Sequence, residues 1–212
     1  MLVTIGIYTM IFGWKFALGF VILIYIHENG HLLAAKIKGL QTGKPVFIPF
    51  VGALIRLKEQ PKDASTEAFI AVGGPLVGGL ASVLCFLVYT LNHSELWLSL
   101  AYIGLFLNTF NLVPVHPLDG GRIVTVISNK IWIVGLVALA YLTYRFESPL
   151  MLLILILGAV QAWKSYRNPN PAYYQAPLRE RALYTLLYFS MLIGFGTLMM
   201  HSYGLLPTHT LI

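Results

Sequence analysis

Charge is what this chain has least of. Lys, Arg, Asp and Glu make up only 10% of its 212 residues, against about 25% in a typical soluble domain. With 58% hydrophobic residues and a mean hydropathy of +0.76, that scarcity excludes an ordinary soluble globule and predicts an integral membrane protein built as one bundle. Acidic residues are scarcer than basic ones, leaving a formal charge of +6. A nucleic-acid face is excluded all the same, because the basic residues fall in short segments between apolar runs rather than in one patch. Cysteine is reduced to Cys85, inside an apolar run, so no intramolecular disulfide can form. The amino terminus also lacks a basic leader and a convincing cleavage site, so the first apolar helix is expected to serve as its own insertion signal.

Long apolar runs are what the chain has instead. They predict an all-α polytopic membrane protein of about six transmembrane helices, over 14–38, 68–91, 96–113, 130–144, 149–163 and 182–203. Residues 2–12 are apolar but too few for a core of ~30 Å, and read as an interfacial helix, a partial span or an extension of the next helix. Between the first two spans Pro45 and Pro49 exclude a regular helix, while Ile55 to Lys58 alternates apolar and basic. That pattern predicts a short membrane-associated β-hairpin within 42–58. Ser65 or Thr66 is the expected cap of the following helix, and 166–177, rich in Pro, Asn and Tyr, is expected to be an exposed loop. The run Gly73-Gly74-Pro75-Leu76-Val77-Gly78-Gly79 has no strand before it and no Lys-Ser/Thr after it, so a phosphate loop is excluded. Gly74 and Gly78 instead have the small-xxx-small spacing of closely packed membrane helices.

Twelve of the fourteen basic residues, among them Lys36, Lys38, Arg122 and Lys164, fall on one side of such a bundle, with only Lys15 and Arg145 on the other. By the positive-inside rule the first span runs inward. Near its inner end lies His27-Glu28-Asn29-Gly30-His31. Four residues apart on a helix, the two imidazoles share a face and can reach one metal ion, with Glu28 beside them to handle a water. Charged or polar groups at this depth are costly and belong to paired, coordinated or functional sites.

Two histidines leave a catalytic zinc one protein ligand short. Asn111-Leu112-Val113-Pro114-Val115-His116-Pro117-Leu118-Asp119-Gly120-Gly121 ends the third span on the same side. The prolines break the helix there and the glycines permit a sharp return. Asp119 is then either a carboxylate facing a cation or a turn residue bonding its own backbone amides; the first is the simpler account of a carboxylate at membrane depth. His116 stands three residues before Asp119 and is expected not to be a ligand. His93, His201 and His209 fall in outer segments and are expected to be solvated.

These two segments resemble the two signature motifs of the site-2 protease family of intramembrane zinc metalloproteases. The first matches H-E-x-G-H, the second matches N-x-x-P-x-x-P-L-D-G-G without a gap, and Gly73-Gly74-Pro75 resembles the small-residue motif of the family's second core helix. The match covers roughly residues 14 to 122. The resemblance implies one zinc per chain held by His27, His31 and Asp119, Glu28 as general base, and Asn111 hydrogen-bonding the substrate or the developing oxyanion. It also implies that the hairpin pairs with an extended strand of a single-span membrane-protein substrate. The expected division is an apolar segment 1–13, a metalloprotease core 14–125 and carboxyl-terminal helices 126–212. The expected setting is a prokaryotic cytoplasmic membrane, with the site toward the cytoplasm. The alternative reading is a metal-binding membrane protein, either a transporter or an inactive protease-like binder; oligomeric state is open.

Overall fold

The computed structural model describes residues 2–43, 46–48, 52–54, 59–128, 130–168 and 170–207. Among these are eight helices and two short strands. Four helices are long and apolar enough to cross a membrane: α2 (Trp14–Ile37), α3 (Ala64–Asn92), α7 (Pro149–Arg167) and α8 (Leu178–Leu205). The others are α1 (Leu2–Phe12), α4 (Glu95–Asn111), α5 (Asp119–Ile127) and α6 (Ile131–Phe146). The chain is an integral membrane protein by these helices. Strands β1 (Val46–Ile48) and β2 (Gly52–Leu54) pair antiparallel, with Val46 opposite Leu54 and Ile48 opposite Gly52. The rest of the expected hairpin (44–45, 49–51 and 55–58) and His209 lie outside the described residues.

By contacts the chain forms two units. The first comprises Met1–Lys58, Gly73–Phe110 and Met191–Ile212. Residues 2–12, ambiguous from sequence, form a helix of their own, parted from α2 by Gly13 at φ 80°. A Cβ would make that left-handed backbone costly, which is why glycine ends α1 there. Helix α1 packs on α2 through Tyr8, Ala17 and Val21, with Phe20 edge-on to Tyr8 at 5.4 Å. A second apolar cluster joins α2, α3 and α4 through Leu23, Cys85, Leu100 and Ala101. Gly30 and Gly73 let α2 and α3 touch backbone to backbone: a Cβ on Gly30 would stand 2.7 Å from the Gly73 carbonyl carbon. Strand β2 lies against α2.

The second unit comprises Glu59–Val72 and Asn111–Ser190. Here α3 begins four residues earlier than expected, at Ala64. Its cap is Asp63, whose carboxylate accepts the Thr66 amide at 2.7 Å, rather than Ser65 or Thr66. The expected loop is largely exposed, and it is also pinned at one point. Tyr173 accepts the Ala64 amide on its carbonyl at 3.0 Å and donates its hydroxyl to Glu67 at 2.7 Å. Burial, and then the Glu67 carboxylate, push the Tyr173 phenol far above its ordinary range.

The segment after α4 is the irregular turn expected, but its glycines act differently from their reading. Helix α4 stops at Asn111, as Pro114 requires, and the chain then turns tightly, with Val115 N–H on Val113 O at 2.7 Å and Leu118 N–H on Val115 O at 2.9 Å. Gly120 and Gly121 do not make a return; they lie in the first turn of α5, which begins at Asp119. Their role is close approach. A Cβ on Gly121 would stand 2.5 Å from the His116 amide nitrogen, and one on Gly120 2.6 Å from the Val113 carbonyl oxygen. Gly135 on α6 and Gly158 on α7 press on the same segment, a Cβ at each falling within 2.7 Å of Pro114 or His116 backbone. Tyr188 donates to Leu112 O at 2.7 Å and Trp132 to Gly121 O at 2.8 Å. The proline segment is held by backbone packing and by hydrogen bonds to its carbonyls.

Candidate metal centre

In the first unit the centre is the inner half of α2. His27 is 4% and Glu28 8% exposed, and His31 is half-buried. The i, i+4 spacing sets the two imidazoles on one helix face, edge to face with centroids 4.8 Å apart. Their Nε2 atoms face each other at 3.2 Å. Two nitrogens bound tetrahedrally to one zinc at 2.0–2.1 Å stand roughly 3.3 Å apart. The spacing of the two nitrogens therefore fits a shared divalent ion. Outward-facing Asn29 spends its side chain on Tyr25 O at 2.7 Å.

Two features seen only in the structure shape this pair. The small-residue stretch of α3 does not merely pack on α2; it lies under the imidazoles. A Cβ on Gly74 would fall 2.7 Å from His31 Cδ2 and nearer still to Cε1 and Nε2, and one on Gly78 would fall 3.0 Å from His27 Cβ. The Gly74 amide points at His31 Nδ1 at 3.3 Å. The other feature is Asn108 on α4, 1% exposed, whose Oδ1 meets His27 Nδ1 at 2.8 Å. Sequence reasoning singled out Asn111 and passed over Asn108. Nothing local distinguishes the two, and only the crossing of α4 over α2 selects one.

In the second unit Asp119 is 7% exposed in the first turn of α5, where the helix dipole favours a carboxylate. Asn111 is the last residue of α4 and is half-buried. The His116 ring stands edge-on to Trp132 at 4.7 Å. Burial first, and then the Arg122 guanidinium, push its pKa down to about 4, so the ring is neutral at physiological pH. Arg122 approaches Glu67 only at 4.0 Å, a separation worth little in stability. Outside the centre, His93 and His201 pack on Tyr89 and Phe86.

The profile of Peptidase family M50 matches residues 15–94 and 88–135, which take in α2, α3, α4, α5 and both motif segments. The chain belongs to this family. Among similar proteins, the zinc metalloprotease MJ0392 of Methanocaldococcus jannaschii is 29% identical over 166 residues, covering 74% of this chain and 48% of the relative. A chloroplastic protein of Arabidopsis thaliana named as a probable zinc metalloprotease, EGY1, is 27% identical over 199 residues, covering 71% of this chain and 35% of the relative. The chain thus spans less than half the length of these relatives. The family is one of peptidases, and both relatives are named as zinc metalloproteases.

Proposed function

We propose that this chain is a zinc-dependent intramembrane endopeptidase that cuts single-span membrane proteins in or beside their transmembrane segments. One zinc is held by His27, His31 and Asp119, with Glu28 as the proton carrier. The observation that carries the reading is the imidazole pair: His27 and His31 lie on one face of α2 with their Nε2 atoms 3.2 Å apart, the spacing of two nitrogens on one tetrahedral zinc. Two neutral imidazoles and one carboxylate are the donors of a catalytic zinc site that keeps a fourth position open. Bound there, zinc would act as a Lewis acid and bring the pKa of water toward ~7.

The rest of the chemistry falls to the chain's own residues. Glu28, beside His27 on α2, takes the proton of the attacking water and returns it to the leaving amine. Asn111, at the end of α4, offers an amide hydrogen to the carbonyl oxygen as charge develops on it. A substrate helix hides its carbonyls in intrahelical bonds and must unwind locally before attack. The β1–β2 pair offers the extended segment an edge to add to. With α4 and α6 as shorter spans the bundle has six, and the distribution of basic residues turns the centre to the cytoplasmic face of a prokaryotic membrane. Residues 14–125 form the catalytic core, with 126–212 as additional helices.

The deciding experiment is Glu28→Gln in the full chain, assayed on a single-span substrate in detergent or vesicles. Hydrolysis should disappear while zinc stays at one per chain. Cleavage at the wild-type rate by that variant would overturn the assignment.

A further inference from the structure

We infer that Asn108 is the positioning residue of the metal centre, its side-chain amide fixing which nitrogen of His27 faces the cation. The inference rests on the zinc reading above but assigns a residue that lies outside both motifs.

The argument starts from a carbonyl. Gly104 O can only accept, and an Asn108 terminal atom lies 2.7 Å from it. That atom must be the amide nitrogen, since an oxygen there would face a second acceptor. The other terminal atom, 2.8 Å from His27 Nδ1, is then Oδ1. An oxygen with no hydrogen requires the proton on Nδ1, so Nε2 carries the lone pair. Nε2 is the atom that faces His31 Nε2 at 3.2 Å. One backbone carbonyl of α4 thereby sets the tautomer of a ligand on α2, through an amide that cannot turn over without losing both bonds.

The pocket around the amide is built for it. Asn108 is 1% exposed. A Cβ on Gly78 would stand 2.6 Å from Oδ1 and 3.1 Å from Nδ2, so α3 has no room there for any side chain. The Gly78 carbonyl is in turn bonded by Ser82 Oγ at 2.8 Å. Metal-bound histidines usually donate their second nitrogen to a carboxylate, a backbone carbonyl or water. A neutral amide does the same orienting work without placing another charge among apolar helices, where each charge is costly.

The test uses the full chain in detergent, with zinc affinity read by competition against a chelator. Asn108→Leu keeps the volume and removes the acceptor; its zinc affinity should fall 10- to 100-fold, with thermal unfolding in excess chelator unchanged. Asn108→Asp restores an acceptor for Nδ1–H and should bind zinc within a few-fold of wild type at pH 8. If Asn108→Leu is folded and binds zinc within three-fold of wild type, the inference is wrong. It is equally wrong if folded Asn108→Asp binds as weakly as Asn108→Leu. Should Asn108→Leu fail to fold, the Asp variant alone decides. Failure of a different kind, wild type holding no stoichiometric zinc or His31→Ala holding it as tightly, would remove the zinc reading itself.

Discussion

Replacing Gly74 with alanine adds one methyl group at the place where α3 lies under the imidazole of His31, a ligand in the proposed zinc site. The new Cβ would stand 2.7 Å from His31 Cδ2 and closer to Cε1 and Nε2, while ordinary contact begins at 3.4 Å. The ring must therefore retreat by at least about 0.7 Å, because the repulsive wall is far steeper than any attraction holding it. Ligand distances in metal sites tolerate only about 0.2 Å, so the displaced Nε2 no longer serves an ion placed by its partners. Zinc affinity should fall at least ~10-fold, and hydrolysis by ~100-fold or more, as expected when a reacting group is misplaced by about 1 Å. Two local effects on stability oppose each other: alanine gains up to about 1 kcal/mol in helix propensity, and Pro75 disfavours a Cβ on the residue before it. Neither acts on metal affinity, which is why affinity is the quantity to measure, by chelator competition and by the spectrum of the cobalt-substituted protein. Gly196→Ala on α8, where a Cβ would meet nothing within 4 Å, is the control and should bind zinc like wild type. Wild-type zinc affinity and cleavage in Gly74→Ala would show that the imidazole is not seated on that glycine.

Other consequences are equally direct. Gly30→Ala sets a Cβ against the Gly73 carbonyl, which is backbone and cannot turn aside, so overpacking should cost about 1–3 kcal/mol and lower the thermal midpoint. His116, with a pKa pushed from 6.5 down to about 4, takes a proton in the unfolded chain before the folded one. Its contribution is present above pH 6.5 and lost as pH falls toward 4, so His116→Gln should unfold with a shallower acid dependence over that window, and an unchanged slope would refute the burial of a neutral ring. Tyr173→Phe removes the 2.7 Å bond to Glu67 and should cost about 1 kcal/mol, visible as earlier proteolysis of the segment between α7 and α8.

What could be read from sequence alone is what depends on spacing along one element. Two histidines four apart must share a helix face, and prolines at 114 and 117 must end a helix, so the imidazole pair and the break after Asn111 needed no coordinates. What could not be read depends on which elements cross. The glycines of α3 announced close packing but not its object, because small-xxx-small spacing accommodates an imidazole as readily as a backbone. Asn108 and Asn111 occupy one helix three residues apart and look alike until α2 is placed beside α4. Gly120-Gly121 reads as a turn because glycine is the commonest turn residue. In the fold the same lack of Cβ admits the backbone of Leu112 to His116 against the first turn of α5.

Taken separately, the two units solve one problem in the same way. A cluster of polar groups among apolar helices is stable only if each group is bonded and held, yet large polar scaffolds are expensive to insert in a bilayer. In the first unit Gly30, Gly73, Gly74 and Gly78 bring backbone against backbone and against the imidazoles, and the polar contacts are reduced to a few short links through Asn108 and Gly104. In the second, Gly120, Gly121, Gly135 and Gly158 clamp the proline segment that leads into Asp119, with Trp132 and Tyr188 bonding its carbonyls. The proposed ligands are thus carried on elements fixed by close backbone contact, the arrangement that holds a site to within about 0.5 Å. Stiffness of this kind also constrains the chemistry. On the proposed reading, walls held this closely leave local unwinding to the substrate helix rather than to the protein.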